Sequence, residues 1–138
     1  MSDSFCVDRH RERFLELIDN YVDILFCNES EVLSLLKKEK LSQCQKHLSS
    51  LCELVVVTLG SNGSLIINKN DIKEIKSITK EKVIDTTGAG DIYAGGFIHG
   101  LINNYSLKKC GEIGSICAGQ IITQLGSRAN IDLKELIR

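Results

Sequence analysis

A glycine-rich turn at the start of a helix is the feature that most constrains this chain. Gly88-Ala89-Gly90 opens a stretch whose spacing predicts a helix over residues 89–103. The N–H groups at a helix N-terminus carry partial positive charge and lack partners within the helix, so this turn can hold a phosphate. Asp91 follows directly and is placed to accept a proton from an attacking hydroxyl group. An anion-binding turn beside a base favours phosphoryl transfer from a nucleotide to an alcohol.

The same turn has a structural alternative, since glycine-rich turns commonly join a strand to a helix. Two other phosphate-binding motifs are absent from the sequence. No Gly-x-x-x-x-Gly-Lys-Ser/Thr sequence occurs, which argues against a P-loop. After Gly88 and Gly90, the third glycine of a dinucleotide-binding turn would stand at position 93, which is Tyr93. The sequence therefore disfavours a Rossmann oxidoreductase.

The composition is that of an ordinary globular protein. The 138 residues predict one domain, with 43% apolar residues, 25% charged residues and a net charge of −1. Such a balance disfavours a nucleic-acid or membrane partner. The first residues lack the basic and apolar regions of a signal peptide, and the six cysteines form no Cys-x-x-Cys pair. We therefore expect a cytoplasmic protein with free thiols.

Apolar runs alternate with amphipathic segments, which predicts an α/β fold with a mostly parallel sheet. Buried strands are expected at residues 22–27 and 54–59, before Asn28 and Gly60, and another strand before Asp85. Since ligands gather at the carboxyl ends of parallel strands, these three polar segments are expected in one cleft. Further predicted elements are an edge strand at residues 72–78 and helices at residues 8–20, 41–51, 107–125 and 133–137, with one more helix beginning at Asn28.

Three motifs in order resemble the ribokinase-like (PfkB) family of carbohydrate and nucleoside kinases. They are Asn28-x-x-Glu31, Thr58-x-Gly60-x-x-Gly63, and Asp85-Thr-Thr-Gly-Ala-Gly-Asp91 followed by Gly95-Gly96-Phe97. The wording of residues 2–11 and 22–26 is most similar to bacterial adenosine-kinase-type members. The resemblance implies a three-layer ribokinase-like (Rossmann-like) fold. It covers nearly all of residues 1–138 but corresponds to the C-terminal, nucleotide-binding part of a kinase domain, with the N-terminal substrate and lid part absent.

The resemblance implies roles for the residues that match these motifs. Asp91 is the expected general base, and the backbone of Gly88, Ala89 and Gly90 is expected to bind the transferred phosphoryl group of ATP. Segments that border the nucleotide are expected to include Thr58, Gly60, Gly63, Thr87 and Cys117. A hairpin turn is the alternative for the first three, and helix packing is the alternative for Cys117.

Metal ligands are also implied. Asn28 and Glu31 are expected to organise Mg²⁺ through its waters, and their spacing equally fits a capping box at a helix start. Asp85, beside Thr87, is a candidate ligand of a monovalent cation such as K⁺.

The implied function is ATP-dependent phosphorylation of a nucleoside or sugar hydroxyl, as in an adenosine kinase or a sugar kinase. The alternative is a noncatalytic remnant or nucleotide-binding fragment that needs a separate N-terminal half. The expected partners are ATP, a small nucleoside or sugar, and either a complementing N-terminal half or a second copy of this chain, since an exposed sheet edge favours self-association.

Overall fold

The computed structural model describes residues 3–69, 71–78, 82–130 and 132–136. The chain divides into two compact units. The first, here called the strand unit, combines Met1–Leu59 with Leu65–Lys73, and the second, the helix-pair unit, combines Gly60–Ser64 with Glu74–Arg138. Position 70 in a predicted turn and position 137 of the last predicted helix lie outside the described residues.

Helices precede β1 and β2, as the sequence predicts, whereas β2, β3 and β4 follow one another without an α-helix between them. In chain order they are α1 (Ser4–Arg9), α2 (Arg11–Tyr21), β1 (Ile24–Asn28), α3 (Glu29–Leu36), α4 (Gln45–Leu51), β2 (Leu54–Thr58), β3 (Ser64–Asn68), β4 (Asp71–Ile75), α5 (Ala89–Ile102), α6 (Leu107–Ile121) and α7 (Leu133–Leu136). Single turns of 3₁₀ helix lie at Leu41–Gln43 and Gly60–Asn62. No helix in the described parts of the chain is long and apolar enough to cross a membrane.

Four strands form one sheet in the order β1-β2-β3-β4. β1 and β2 are parallel, and their register places Ile24 opposite Leu54 and Asn28 opposite Thr58. The connections from β2 to β3 and from β3 to β4 are too short for parallel crossovers, so these neighbours are antiparallel and the sheet is mixed. Residues 54–57 of β2 are all buried, as expected of a strand covered on both faces.

The strand unit has its own apolar core. Val32 and Leu35 of α3 and Val55 and Val57 of β2 are fully buried within it. The remaining buried members of this core are Val7, Ile18, Leu25, Cys27, Cys44, Leu48, Leu65 and Ile67. Burial of these side chains is the main source of stability of the strand unit.

The prediction of one helix over residues 8–20 is wrong, because two helices, α1 and α2, meet at His10. The Asp3 carboxylate accepts a hydrogen bond from the Cys6 backbone N–H at 2.8 Å and caps α1 four residues earlier than expected. His10 has non-helical backbone angles and ends α1. Arg11 Nε then donates to the Leu35 carbonyl oxygen at 2.6 Å, which ties the start of α2 to the end of α3.

In the helix-pair unit, α5 and α6 pack closely through small residues. A Cβ built on Gly96 would lie 3.0 Å from the Cys117 sulfur, and one on Gly100 would lie 2.9 Å from the Cys110 sulfur. Only glycine leaves the two backbones this close. Gly96 thus contacts α6, whereas a Cβ on Gly95 would meet nothing within 4 Å.

The segment before α5 is not the expected strand, and α6 ends earlier than predicted. Both differences have one cause. The Ile122 carbonyl oxygen, just past the end of α6, accepts hydrogen bonds from Ile84 N at 2.8 Å and Asp85 N at 3.3 Å. The Ile122 carbonyl group thus binds the chain before α5 instead of continuing α6, and Ile84 and Asp85 pair with the end of a helix instead of with a strand.

Candidate active site

The conformation of the turn at the start of α5 depends on Gly88. Gly88 caps the helix with φ of 78° and ψ of 0°, a left-handed conformation that favours glycine. A Cβ at this position would lie 2.5 Å from the Ser127 Cβ. Ala89 N donates to the Thr86 carbonyl oxygen at 3.2 Å, and Ile92 N donates to the Gly88 carbonyl oxygen at 3.0 Å. Glycine at position 88 is thus required by the fold itself.

Backbone donors remain available at this helix start. Among the described residues, the N–H groups of Gly88, Gly90 and Asp91 have no hydrogen-bond acceptor. Ala89 was expected to contribute as well, but its N–H is already bound by Thr86. A Cβ on Gly90 would meet nothing within 4 Å, so nothing in the described structure requires glycine there. The cluster is chemically suited to an anion that approaches the backbone at Gly90.

Asp85 braces this turn against a second one. Its Oδ1 accepts a hydrogen bond from Thr87 N at 2.9 Å, and its Oδ2 accepts one from Gly126 N at 2.9 Å. Hydrogen bonds from the Thr87 side chain, the Gly126 N–H and the Thr87 N–H lower the pKa of Asp85 below its usual value. The carboxylate thus holds the turn after α6 beside the glycine turn. These contacts favour a positioning role over cation binding.

Asp91 lies in the first turn of α5 with its side chain exposed to solvent. No hydrogen bond or ion pair of its carboxylate occurs in the described parts of the chain. A carboxylate at a helix N-terminus also interacts favourably with the helix dipole. The side chain is therefore both accessible to a substrate hydroxyl and adjacent to the free backbone donors, as a general base of this kind needs.

Asn28 and Glu31 form the capping box that their spacing allows. Glu31 N donates to Asn28 Oδ1 at 2.9 Å, and Asn28 N donates to Glu31 Oε2 at 2.9 Å. Glu31 is 3% exposed. In the part of the chain that is described, no three His, Cys, Asp or Glu residues cluster closely enough to hold a metal ion. The contacts given for Asn28 and Glu31 in this part of the chain are thus those of the capping box.

The Thr58 segment follows β2, where Thr58 Oγ1 donates to the Cys27 carbonyl oxygen at 3.4 Å. Gly60 and Gly63 both have positive φ, and Gly63 N donates to the Gly60 carbonyl oxygen at 3.1 Å. A Cβ on Gly63 would overlap the Ile75 carbonyl oxygen at 1.9 Å. The hairpin turn alone therefore explains Gly63, whereas a Cβ on Gly60 would face open space.

Cys117 lies in the contact between α5 and α6 and is 2% exposed. Burial raises the pKa of its thiol. Its sulfur faces Gly96, so the structure favours helix packing over contact with a nucleotide base. Tyr93, where a dinucleotide motif would have glycine, is buried with its hydroxyl 2.7 Å from the Ser64 hydroxyl. Burial likewise raises the pKa of Tyr93.

The structure brings the predicted residues together in two groups, one in each unit. Asn28 and Thr58 are direct partners across the parallel pair of the strand unit, with Glu31 bonded to Asn28. Residues 85–91 form the second group, in the helix-pair unit. Sequence reasoning missed Gly126 and Ser127, which brace the second group. Gly126 directly follows the predicted end of α6 and has φ of 84°, so a glycine after a helix was the available signal.

Comparison with known proteins identifies the family. The profile of the pfkB family carbohydrate kinases matches residues 2–134. A nucleoside kinase of Methanocaldococcus jannaschii is 37% identical over 123 residues, which cover 88% of this chain and 39% of that protein. The chain belongs to the PfkB family, a family of kinases, enzymes that transfer phosphoryl groups.

Solved structures agree with this assignment. The adenosine kinase from Sinorhizobium meliloti is 39% identical with a TM-score of 0.95, and the match covers 99% of this chain and 42% of that one. The Arabidopsis thaliana ribokinase complexed with ribose and ATP is 27% identical with a TM-score of 0.78, covering 90% of this chain and 43% of that one. The ribokinase-like α/β fold is thus confirmed. This chain spans about two fifths of the length of these relatives.

Proposed function

We propose that this chain is the nucleotide-binding, C-terminal part of a kinase domain that transfers the γ-phosphoryl group of ATP to a hydroxyl of a nucleoside or sugar. The observation that carries the proposal is the start of α5. There, three backbone N–H groups without an acceptor among the described residues lie beside the exposed Asp91 carboxylate. Such donors stabilise charge that develops on the transferred group, because they are already oriented before reaction.

The chain's own residues divide the work as follows. The N–H groups of Gly88, Gly90 and Asp91 bind the phosphoryl oxygens, and Gly90 lets them come close. The Asp91 carboxylate accepts the proton of the attacking hydroxyl group as the new O–P bond forms. Asp85 and Thr87 hold the turn in position, which leaves a monovalent cation such as K⁺ the weaker assignment for Asp85.

Nucleotide and metal roles for the residues at the ends of β1 and β2 and in the turn after β2 are also part of the proposal. Thr58 and Gly60 border the nucleotide, with Gly63 shaping their turn. Asn28 and Glu31 would hold Mg²⁺ through its waters, and the ion would neutralise phosphate charge. The open space beside Gly60 leaves room for a nucleotide contact there.

Adenosine is the first substrate to test, because the adenosine kinase from Sinorhizobium meliloti is similar along nearly the whole chain. Ribose and other sugars come next, since the family contains both nucleoside and sugar kinases. The alternative function is a nucleotide-binding fragment without turnover. It gains weight from the two-fifths coverage, because phosphoryl transfer depends on positioning two substrates.

A fusion protein tests the proposal. The part of the Sinorhizobium meliloti adenosine kinase outside the matched stretch is joined to the N-terminus of this chain, and ADP formation is measured with adenosine and Mg-ATP. We expect turnover, and we expect Asp91→Asn to reduce kcat by about 10²–10⁴-fold with ATP affinity retained, as for loss of a general base. Asp19→Asn, an exposed carboxylate on α2, is the matched control. Equal turnover of the Asp91→Asn and control proteins would remove Asp91 from the mechanism.

A further inference from the structure

One face of α5 is apolar and exposed. Asp91, Gly95, Ile98 and Ile102 are spaced by four, three and four residues, so they share one face over about 16 Å of helix. All four are exposed, Ile98 by 42% and Ile102 by 74%. We call these four residues the α5 stripe. The buried residues of α5 are Tyr93, Gly96, Phe97 and Gly100. Within the α5 stripe, Gly95, Ile98 and Ile102 form an uncharged surface.

The composition of α5 is that of an interior helix. Asp91 is its single Asp, Glu, Lys or Arg residue among 14. A helix that is apolar around most of its circumference is typical of a protein interior, where its faces are covered. By contrast, α2 exposes the charged side chains of Glu12, Arg13 and Glu16. The sequence of α5 thus indicates a second packing partner in addition to α6.

Gly95 adds an independent observation. It lies within the helix with no unusual backbone angle, and a Cβ there would meet nothing within 4 Å. Glycine destabilises a helix interior by about 1 kcal/mol relative to alanine. Gly95 therefore lowers the stability of α5, and no close contact within the described structure requires a glycine there. A backbone or side chain that approaches α5 closely at Gly95 would require it.

The length of the relatives indicates what covers this stripe. The chain matches 99% of its own length but 42% of the Sinorhizobium meliloti adenosine kinase, at a TM-score of 0.95. The unmatched part of that fold is the larger one, and it has to be packed against some surface of the matched part. Among the described residues, the α5 stripe is an apolar surface of secondary structure suited to this, and Val83 and Ile84, exposed by 50% and 57%, precede it.

We propose that the α5 stripe is the docking surface for the remaining, N-terminal part of a PfkB kinase domain, carried by a partner segment outside these 138 residues. The matching surface on the partner is apolar, with a close approach at Gly95. Docking on Ile98 places the partner about 10 Å along the helix from Asp91, so that the partner's substrate groups can face the base. The proposal rests on the domain assignment made above, but it does not require turnover.

Association in trans gives the first test. The unmatched part of the Sinorhizobium meliloti adenosine kinase is mixed with this chain, and complex formation is followed by sedimentation velocity without nucleotide. We expect a 1:1 complex, which Ile98→Glu and Ile102→Glu each weaken by about tenfold or more, because a carboxylate in an apolar contact loses its water. Tyr21→Glu is the matched control: Tyr21 is 77% exposed, on α2 of the strand unit. This variant should bind as the unchanged chain does.

The second test compares one substitution in two contexts. In the chain alone, Ile102→Glu should leave the melting temperature nearly unchanged because the side chain is exposed. In the fusion protein described above, the same change should lower the melting temperature by about 4 °C or more, whereas Tyr21→Glu should not.

Three results would overturn the proposal. The first is an equal change in melting temperature when Ile102→Glu is made in the chain alone and in the fusion protein. The second is that no complex forms in trans and the fusion protein does not fold, and the third is a dimer of the chain alone that Ile102→Glu dissociates. The last result would identify a second copy as the occupant. Association without turnover would support the docking surface and count against the proposed kinase activity, so the two failures are distinguishable.

Discussion

Gly88 and Gly90 stand two residues apart in the same turn, yet they are glycine for different reasons. Gly88 has positive φ and lies against Ser127, whereas Gly90 faces open space. We expect Gly88→Ala to reduce the free energy of unfolding by about 1–3 kcal/mol through backbone strain and the contact with Ser127. Gly90→Ala should leave it unchanged or raise it by up to about 1 kcal/mol, because alanine favours the helix.

Thermal unfolding of the two variants measures these changes, and titration with Mg-ATP supplies the functional comparison. Gly90→Leu should weaken Mg-ATP binding without loss of stability, because its side chain fills the space through which a phosphate reaches the N–H groups. Unchanged Mg-ATP affinity in Gly90→Leu would show that the phosphate binds elsewhere.

Local sequence spacing predicted some of these residues correctly and could not predict others. The Asn28–Glu31 pair is an interaction over three residues, so the capping box was visible in the sequence. The family resemblance made Asp85 a candidate cation ligand, and its contact with Gly126, 41 residues away, was not predicted. No local pattern reports such a contact. The site residues themselves stay predictions, since their roles depend on ligands.

At the scale of elements, the turn before α5 depends on the Asp85 carboxylate. Its pKa is lowered in the folded chain by hydrogen bonds from Thr87 and Gly126, so it stabilises the fold above the ordinary Asp pKa of about 3.9. This stabilisation is lost as pH falls through the lowered folded value. We expect Asp85→Asn to lower the melting temperature at pH 7 and the difference from the unchanged chain to shrink below about pH 4.

Melting curves from pH 7 to pH 3 check this expectation, with Asp19→Asn as the control at an exposed carboxylate. A melting-temperature difference that stays constant across this range would contradict an ionised brace and indicate that the amide introduced by Asp85→Asn merely fits the turn poorly.

The close packing of α5 on α6 gives a second prediction for elements. Gly100→Ala places a methyl group 2.9 Å from the Cys110 sulfur and should reduce the free energy of unfolding by about 1–3 kcal/mol. Gly95→Ala, five residues earlier on the outward face, should instead stabilise the isolated chain by up to about 1 kcal/mol. Denaturant titration of both variants measures the pair. Similar losses at the two positions would contradict the assignment of the inner and outer faces.

Element types were easier to predict than their ends, and the reason lies in long-range hydrogen bonds. The apolar runs of β1 and β2 predict strands that are buried on both faces, because this kind of burial requires apolar side chains at consecutive positions. The end of α6 depends on Ile122 binding Ile84 and Asp85, which are distant in sequence. The strand expected before Asp85 failed for the same reason, since its partner is a helix end.

For the whole molecule, the decisive property is whether this chain, which spans about two fifths of the length of its relatives, binds Mg-ATP alone. A ligand that binds the folded chain at 100 times its Kd adds about 2.7 kcal/mol to the free energy of unfolding. If the available N–H groups at the start of α5 form a phosphate site, Mg-ATP should raise the melting temperature of the purified chain. Mg²⁺ without ATP should have little effect, because no described cluster of protein ligands holds a metal by itself.

Melting curves with Mg²⁺, ATP and Mg-ATP measure this effect, and Gly90→Leu is the variant that should lose the rise in melting temperature. A cooperative melt that Mg-ATP leaves unchanged would mean that the site requires the partner segment docked on α5, and a fusion protein that also shows no shift would contradict the nucleotide site itself.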